Sequence, residues 1–286
     1  MNHAERFGRS IDAMINRTAQ GYSMIGLLIS VAIMMVLSVV LLNSLNQAVT
    51  GSKSAMPGTI ASFKDKEYLR LLFQSMAVSD AVGSNVLMGD ANFITPATVA
   101  GEGDVSLNTT ANLYSAMVMQ QYTIPAQLIS GNEYNPGVWQ DEDYNYGAYD
   151  PYERVFWDQT FVADLDLESN VSFAHVPLYR RRLDRYWKFT VDTQTALIGN
   201  RGPLDGVDNP SSYTYGRNGQ WGGHIVFGDG HVDFFESFFV SGLSYDQDGQ
   251  TQHDNIFAME TGPNGRDTIL SFTKQMTEDG PVLQHD

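Results

Sequence analysis

The chain has 286 residues, no cysteine, and 17 basic against 33 acidic residues, which gives a net charge of −16. The absence of cysteine excludes a disulfide framework, a thiolate zinc site and a cysteine nucleophile. The acidity argues against a protein that coats nucleic-acid phosphates, because such a protein needs a basic surface. Hydrophobic residues make up 43% of the chain and aromatic residues 12%, which is too many for a disordered protein.

The longest uncharged stretch lies near the N-terminus, where no charged side chain occurs from Thr18 to Ser52. Within it, an apolar run extends from Ile25 to Leu42, and as a helix it would span about 27 Å, close to the hydrocarbon thickness of a bilayer. Arginines precede the run and no basic residue follows before Lys53, so the positive-inside rule predicts a cytoplasmic N-terminus. A cleaved secretory signal and an uncleaved signal anchor are two interpretations of this pattern.

The residues just before the apolar run favour a third interpretation. They read Gly21-Tyr22-Ser23-Met24-Ile25-Gly26-Leu27-Leu28 and resemble the type IV prepilin signature. In that family a leader ends in glycine, an aromatic residue becomes the mature N-terminus, and a long apolar helix follows. The resemblance implies cleavage by prepilin peptidase between Gly21 and Tyr22, and methylation of Tyr22.

Position 26 departs from the family pattern. The fifth mature residue is usually a glutamate, whose carboxylate is thought to pair with the N-terminal amine of a neighbouring subunit, and Gly26 has no such group. The resemblance therefore favours a minor pseudopilin or pilin over the repeating subunit. Small residues at Gly26, Ser30 and Ala32 are expected to allow close helix packing in the membrane or in a filament.

The rest of the chain alternates helical and strand-like patterns. Apolar residues at helical spacing predict a helix over residues 59–82, and a second helix is expected over 112–121. A polar loop is expected over 131–152, and the strand-like runs are 154–161, 171–176, 187–191 and 196–198. The predicted fold class is α+β: a long N-terminal transmembrane helix, then a pilin-like head with an antiparallel β-sheet and long loops. The predicted domains are a leader (1–21), a hydrophobic helix (22–55) and an extracytoplasmic head (56–286).

A second motif lies near the C-terminal end of the chain. Two short apolar runs flank Asp229-Gly230, which predicts a β-hairpin with a type I′ turn. Asp229-Gly230-His231-Val232 also resembles the end of the H-X9-DG motif of prepilin-like proteins. The distal histidine of that motif is replaced here by Gly219, so the match is partial.

Acidic residues after the hairpin suggest a cation site. Carboxylates alternate with a glycine turn from Asp246 onward, a pattern that can place several oxygens around one hard cation. The secretion pseudopilins that the chain resembles can hold calcium in a C-terminal loop. Two interpretations stay open: a solvated acidic turn, or a Ca²⁺ site formed by Asp246, Asp248, Asp254 and Asp267.

The basic residues concentrate in one segment, 179–188, where tyrosines and a tryptophan are interleaved with arginines. We interpret this segment as a solvated strand–loop face. A second interpretation is docking onto an acidic surface of another subunit, such as residues 133–170, which contain ten acidic residues and one arginine. Binding to nucleic acid is not expected from so acidic a chain.

Catalytic signatures are sparse. No nucleophile elbow, phosphate-binding loop or zincin motif is present in the sequence. His224, Asp229, His231 and Asp233 suggest a metal or catalytic cluster, but adjacent strand residues point to opposite faces of a sheet. We expect polar residues on the outer face of a hairpin and no enzymatic activity.

Both resemblances predict the same function. The chain is expected to be a pilin-like subunit of a secretion or pilus filament, with prepilin peptidase, other pilin subunits and the bacterial inner membrane as partners. Its N-terminus would be cytoplasmic and its head periplasmic or on a cell-surface filament. The alternative is a membrane-anchored envelope binding protein, calcium-dependent or not, that never enters a filament.

Overall fold

The computed structural model describes residues 57–83, 93–101, 103–188, 192–214 and 220–286, all within one compact unit, Pro57–Asp286. The predicted leader (1–21) and hydrophobic helix (22–55) lie outside the described residues. So do the predicted cleavage site, Gly21-Tyr22, and the predicted packing residues Gly26, Ser30 and Ala32.

Along the described chain, most of the helices come first and most of the strands follow. The α-helices are α1 (Pro57–Gly83), α2 (Pro96–Val99), α3 (Thr110–Met119) and α4 (Arg180–Tyr186). The strands of the largest sheet, in spatial order, are β1 (Phe173–His175), β2 (Ala196–Asn200), β3 (Gly223–Phe227) and β4 (Val232–Phe235). Two two-stranded sheets follow, β5 (Phe239–Gln247) with β6 (Gln250–Asn255), and β7 (Phe272–Thr277) with β8 (Gly280–Gln284).

The predicted fold class is wrong in two respects. Among the described residues, no helix is long and apolar enough to cross a membrane. The longest helix of the described residues, α1, carries Lys64, Asp65, Lys66, Glu67 and Arg70 in its middle, and such charges are costly in a hydrocarbon environment. The predicted single antiparallel sheet is instead three separate antiparallel sheets within the described part of the chain.

Helix α1 provides one wall of the hydrophobic core. Leu69, Leu72, Phe73 and Met76 recur at helical spacing and are all buried, whereas Gln74 on the opposite face is exposed. The apolar stripe packs against β3 and β4. This arrangement confirms the helix predicted over 59–82.

Helix α3 provides a second wall. Thr109 caps it by accepting a hydrogen bond from the Asn112 amide (3.3 Å), which satisfies one of the free N–H groups of the first turn. Tyr114 is fully buried, and its hydroxyl donates to the Phe173 carbonyl of β1 (3.0 Å). The helix predicted over 112–121 is confirmed, with its start two residues earlier.

The strand predicted over 154–161 is wrong. Asp150 and Val155 exchange both backbone hydrogen bonds (2.8 and 2.9 Å), and these bonds close a tight turn over residues 151–154. The Asp150 carboxylate accepts the Tyr152 amide (3.0 Å), and Arg154 adopts a left-handed φ of 61°. The aromatic residues that suggested a strand therefore lie in and after a turn.

Candidate functional site

The hairpin predicted at Asp229-Gly230 is present, but its turn is not type I′. Phe227 N donates to His231 O (3.0 Å) and Gly230 N donates to Phe227 O (2.8 Å), which leaves a three-residue loop, Gly228–Gly230. Only Gly230 in this loop has a positive φ, +87°. A left-handed glycine after a tight turn is the usual form of a three-residue hairpin loop.

Packing on α1 explains why glycine occupies position 230. A Cβ atom added there would lie 2.6 Å from the ring of Phe73, and the positive φ already disfavours any other residue. The loop of the hairpin is therefore docked against the buried face of α1.

The polar residues of the motif stabilise the same turn. The Asp229 carboxylate accepts hydrogen bonds from the His231 amide (3.1 Å) and from His231 Nδ1 (2.5 Å). Burial would raise the pKa of Asp229, but these hydrogen bonds outweigh it and hold the pKa below its usual value. The His231 ring stacks on Phe227 at 4.4 Å between centroids. Val232 is buried at the start of β4. All four residues of the motif thus stabilise either the turn or the core.

His224, the other histidine of the hairpin, joins a separate polar network on β3. Its ring is hydrogen-bonded to Ser62 of α1 (3.3 Å), and its amide donates to Asn200 Oδ1 (2.7 Å). The Asn200 side chain in turn donates to Asp65 (3.3 Å). Burial lowers the pKa of His224 to about 4, so the ring is neutral at physiological pH. The hairpin histidines therefore do not form a cluster.

The four carboxylates predicted as a calcium site fall into two places. Asp246 and Asp248 are exposed at the tip of the β5–β6 hairpin, whereas Asp254 and Asp267 are buried. Asp246 pairs with Thr251, and Asp254 lies three residues further along β6, about 10 Å away by strand geometry. Within the described ranges, no group of three or more His, Cys, Asp or Glu side chains is arranged to hold a metal ion.

Asp254 is the least satisfied of these carboxylates. Its Oδ2 accepts the Thr268 amide (2.7 Å), but its buried Oδ1 has no hydrogen-bond partner. Burial, with the negative charges of Asp267 and Glu260, raises the pKa of Asp254 to about 7. Burial also raises the pKa of Glu260. The two groups form an acidic pair that retains a proton more readily than exposed carboxylates do.

Asp267, by contrast, has partners for both oxygens: Arg182 donates to Oδ1, and the Glu260 amide donates to Oδ2 (3.0 Å). The guanidinium Nη2 lies 2.6 Å from Asp267 Oδ1, and both side chains are buried. The same guanidinium donates to the carbonyls of Asp267, Gly262 and Pro263 at 3.0–3.1 Å. The prediction of a strand–loop for this basic segment is wrong, because residues 180–186 form helix α4. Arg180, Arg181 and Arg185 are exposed, as predicted, whereas the buried Arg182 anchors the helix to the 262–267 loop.

A second buried ion network was not predicted. Arg201 donates to both carboxylate oxygens of Glu133 (2.5 and 2.7 Å) and to Asp286 (3.0 Å). The side chains of Arg201, Glu133 and Asp286 are only 3%, 8% and 1% exposed. These residues come from distant parts of the chain, so no local sequence pattern indicates the network.

A cavity of about 370 Å³ lies beside α3. Its lining includes Asn112, Phe156 and Trp157. The Trp157 indole N–H donates to Asn112 Oδ1 (3.1 Å), and the Asn112 amide donates to the Leu107 carbonyl (2.8 Å). Asp104, Arg154 and Gln159 also line the cavity.

No protein-family model matches the chain, and neither does any curated protein or any solved structure. A functional assignment therefore depends on the residues and the geometry described above.

Proposed function

We propose that the chain is a pilin-like subunit of a secretion or pilus filament, processed by prepilin peptidase after Gly21, and that it is not an enzyme. The observation that carries the proposal is the Gly21-Tyr22 junction at the start of an apolar run, within a stretch that has no charged residue from Thr18 to Ser52. The leader would be cut between these two residues, which match the glycine and the aromatic residue of the prepilin signature.

The geometry of the described residues supports a subunit that functions through its surfaces. The Asp229-Gly230-His231-Val232 motif docks a hairpin onto α1, and His224 bonds to Ser62 and Asn200. His175 is completely buried between Thr110 and the Val176 carbonyl, and burial lowers its pKa to about 4. These residue types, which would serve catalysis in an enzyme, serve packing here. In this proposal the partners are prepilin peptidase and other pilin-like subunits, and residues 57–286 lie outside the cytoplasm.

Co-expression with a prepilin peptidase tests the proposal. The full chain is expected to lose its leader in the presence of the peptidase and to keep it in the absence of the peptidase, as seen from the shift of a C-terminally tagged product on a gel. The Gly21→Leu variant should stay at full length under both conditions, while Gly51→Leu, which lies outside the motif, should be cut like the wild type. Equal processing of wild type and Gly21→Leu would refute cleavage at this site.

A further inference from the structure

Exposed aromatic side chains concentrate in one loop of the protein, residues 139–153, which we call the tyrosine–acid loop. Trp139, Tyr146, Tyr149 and Tyr152 are exposed by 45%, 48%, 55% and 97%. Large aromatic side chains of this kind are enriched where proteins bind one another. The loop also carries five carboxylates and no basic residue; these are Asp141, Glu142, Asp143, Asp150 and Glu153.

The loop is held in place by the core beneath it. Tyr144, at its centre, is buried, and its hydroxyl donates to the Ser115 carbonyl of α3 (2.6 Å). The adjacent Asn145 amide donates to Asp158 (2.7 Å). Because the loop is already ordered, a partner would not need to meet the entropic cost of fixing it.

A surface of opposite charge lies on α4. Arg180, Arg181 and Arg185 are exposed, and among the described residues none of them has a carboxylate within ion-pair distance. The buried Arg182 fixes the helix through Asp267, so the other three arginines project from an anchored support. We call these three residues the arginine surface.

We propose that the arginine surface of one copy of this chain binds the tyrosine–acid loop of a second copy. Guanidinium groups pair with carboxylates through two parallel hydrogen bonds and also stack on aromatic rings, and the loop offers both groups side by side. Arginine, tyrosine and tryptophan are also the residues that contribute most to binding at protein interfaces. No ion pair between the described residues joins the two surfaces within one copy.

The contact would be head to tail, because the two surfaces are different parts of the same chain. Such heterologous contacts repeat, so they generate rings or open filaments rather than closed dimers. This inference rests on the proposed function, for which it supplies one contact between subunits.

The absence of cysteine makes site-specific cross-linking a direct test. In the full chain, Asp184→Cys places a thiol on α4 and Gln140→Cys places one in the tyrosine–acid loop; both positions are exposed. Under mild oxidation in intact cells, the double variant should give a ladder of disulfide-linked multimers, and each single variant should stay monomeric. Asp184→Cys combined with Gln247→Cys, at the tip of the β5–β6 hairpin, is the matched control and should give no ladder.

Charge reversal identifies the forces that act in the contact. Changing Arg180, Arg181 and Arg185 to glutamate should reduce the cross-linked product at least tenfold, and so should changing Glu142, Asp143 and Glu153 to lysine. When the arginine-to-glutamate variant and the acid-to-lysine variant are produced together, each with a single cysteine, a disulfide-linked heterodimer should form again. About 0.5 M salt should weaken the wild-type ladder because it screens exposed charges.

Three outcomes would overturn the contact: no ladder in the double variant, dimers of a single-cysteine variant as abundant as the ladder, or charge reversals without effect. The mature N-terminus of the same samples is read separately. A chain that starts at Tyr22 but gives no ladder refutes only the contact, whereas a ladder formed by a chain that starts at Met1 refutes only the proposed processing.

Discussion

Two hairpins of this protein turn at the same dipeptide, Asp-Gly, and form different turns. At Asp229-Gly230 the loop has three residues, and only the glycine has a positive φ, +87°. At Asp248-Gly249 the flanking residues Gln247 and Gln250 are paired, and both central residues have positive φ, 53° and 79°. The second turn has the type I′ geometry that the dipeptide favours, and the first does not.

The surroundings of the two turns explain the difference. Gly230 lies against Phe73, and Asp229 is hydrogen-bonded to His231, whereas no atom lies within 4 Å of a Cβ added at Gly249. The free turn thus follows its local preference, and the docked turn follows the packing of the core. A local sequence rule is most reliable where no tertiary contact competes with it.

The largest difference in stability between the two turns is expected when Gly230 and Gly249 are each changed to alanine. Gly230→Ala combines a left-handed φ with a 2.6 Å approach to Phe73, so we expect a loss of about 3 kcal/mol in the free energy of unfolding. Gly249→Ala, with its φ of +79° and open space, should cost only about 1 kcal/mol. Urea denaturation of both variants measures the difference, and equal losses would show that docking does not distinguish the turns.

The next largest effect on stability is expected at Asp254, near the end of β6 in the hairpin that turns at Asp248-Gly249. Burial raises its pKa from 3.8 to about 7, so the folded protein keeps a proton that the unfolded chain releases above pH 4. The favourable contribution of this proton is complete below pH 4 and is lost as the pH rises to 7. Asp254→Asn removes the titrating group and should stabilise the protein by about 2 kcal/mol at pH 8, and by less at pH 5.

Asp267→Asn is the matched control for that prediction. It removes the charge that faces the buried Arg182, so it should destabilise the protein at both pH values, by about 3 kcal/mol. Denaturation curves of both variants at pH 5 and pH 8 test the contrast. Loss of stability in Asp254→Asn at pH 8 would contradict the assignment of Asp254 as a buried carboxylate without a cationic partner among the described residues.

A double-mutant cycle tests the docking itself. Phe73→Leu removes the ring that limits space at Gly230, so Gly230→Ala should cost about 1 kcal/mol less in that background. Phe73→Leu and Gly249→Ala should be additive, since Gly249 has no neighbour. Additivity in both cycles would show that Phe73 does not restrict position 230.

The smallest effects on stability are expected at Asp229 and Asp248, the aspartates of the two Asp-Gly turns. Asp229→Asn weakens the hydrogen bonds to His231 and should cost about 0.5 kcal/mol near neutral pH, with less effect in acid, where the native carboxylate is protonated. Asp248→Asn changes only an exposed tip and should leave the melting temperature unchanged, with or without added calcium. Thermal unfolding in calcium and in chelator is the measurement, and a calcium-dependent shift lost in Asp248→Asn would restore the cation site.

The distinction between local preference and tertiary contact also separates what could be predicted from sequence and what could not. The apolar spacing of α1 and the flanks of Asp229 are local signals, and both elements are present. The ion pair of Arg182 with Asp267 joins residues 85 positions apart, and it anchors the helix formed by a basic segment that was predicted as a strand–loop face. The division into three sheets likewise depends on long-range pairing that local periodicity does not encode.

The mature N-terminus is the measurement that tests the account most directly. Mass spectrometry of the full chain isolated from cells that contain a prepilin peptidase is predicted to find a protein that begins at Tyr22, with or without a methyl group. A protein that begins at Met1, or at a site beyond Ala55, would contradict the proposed function.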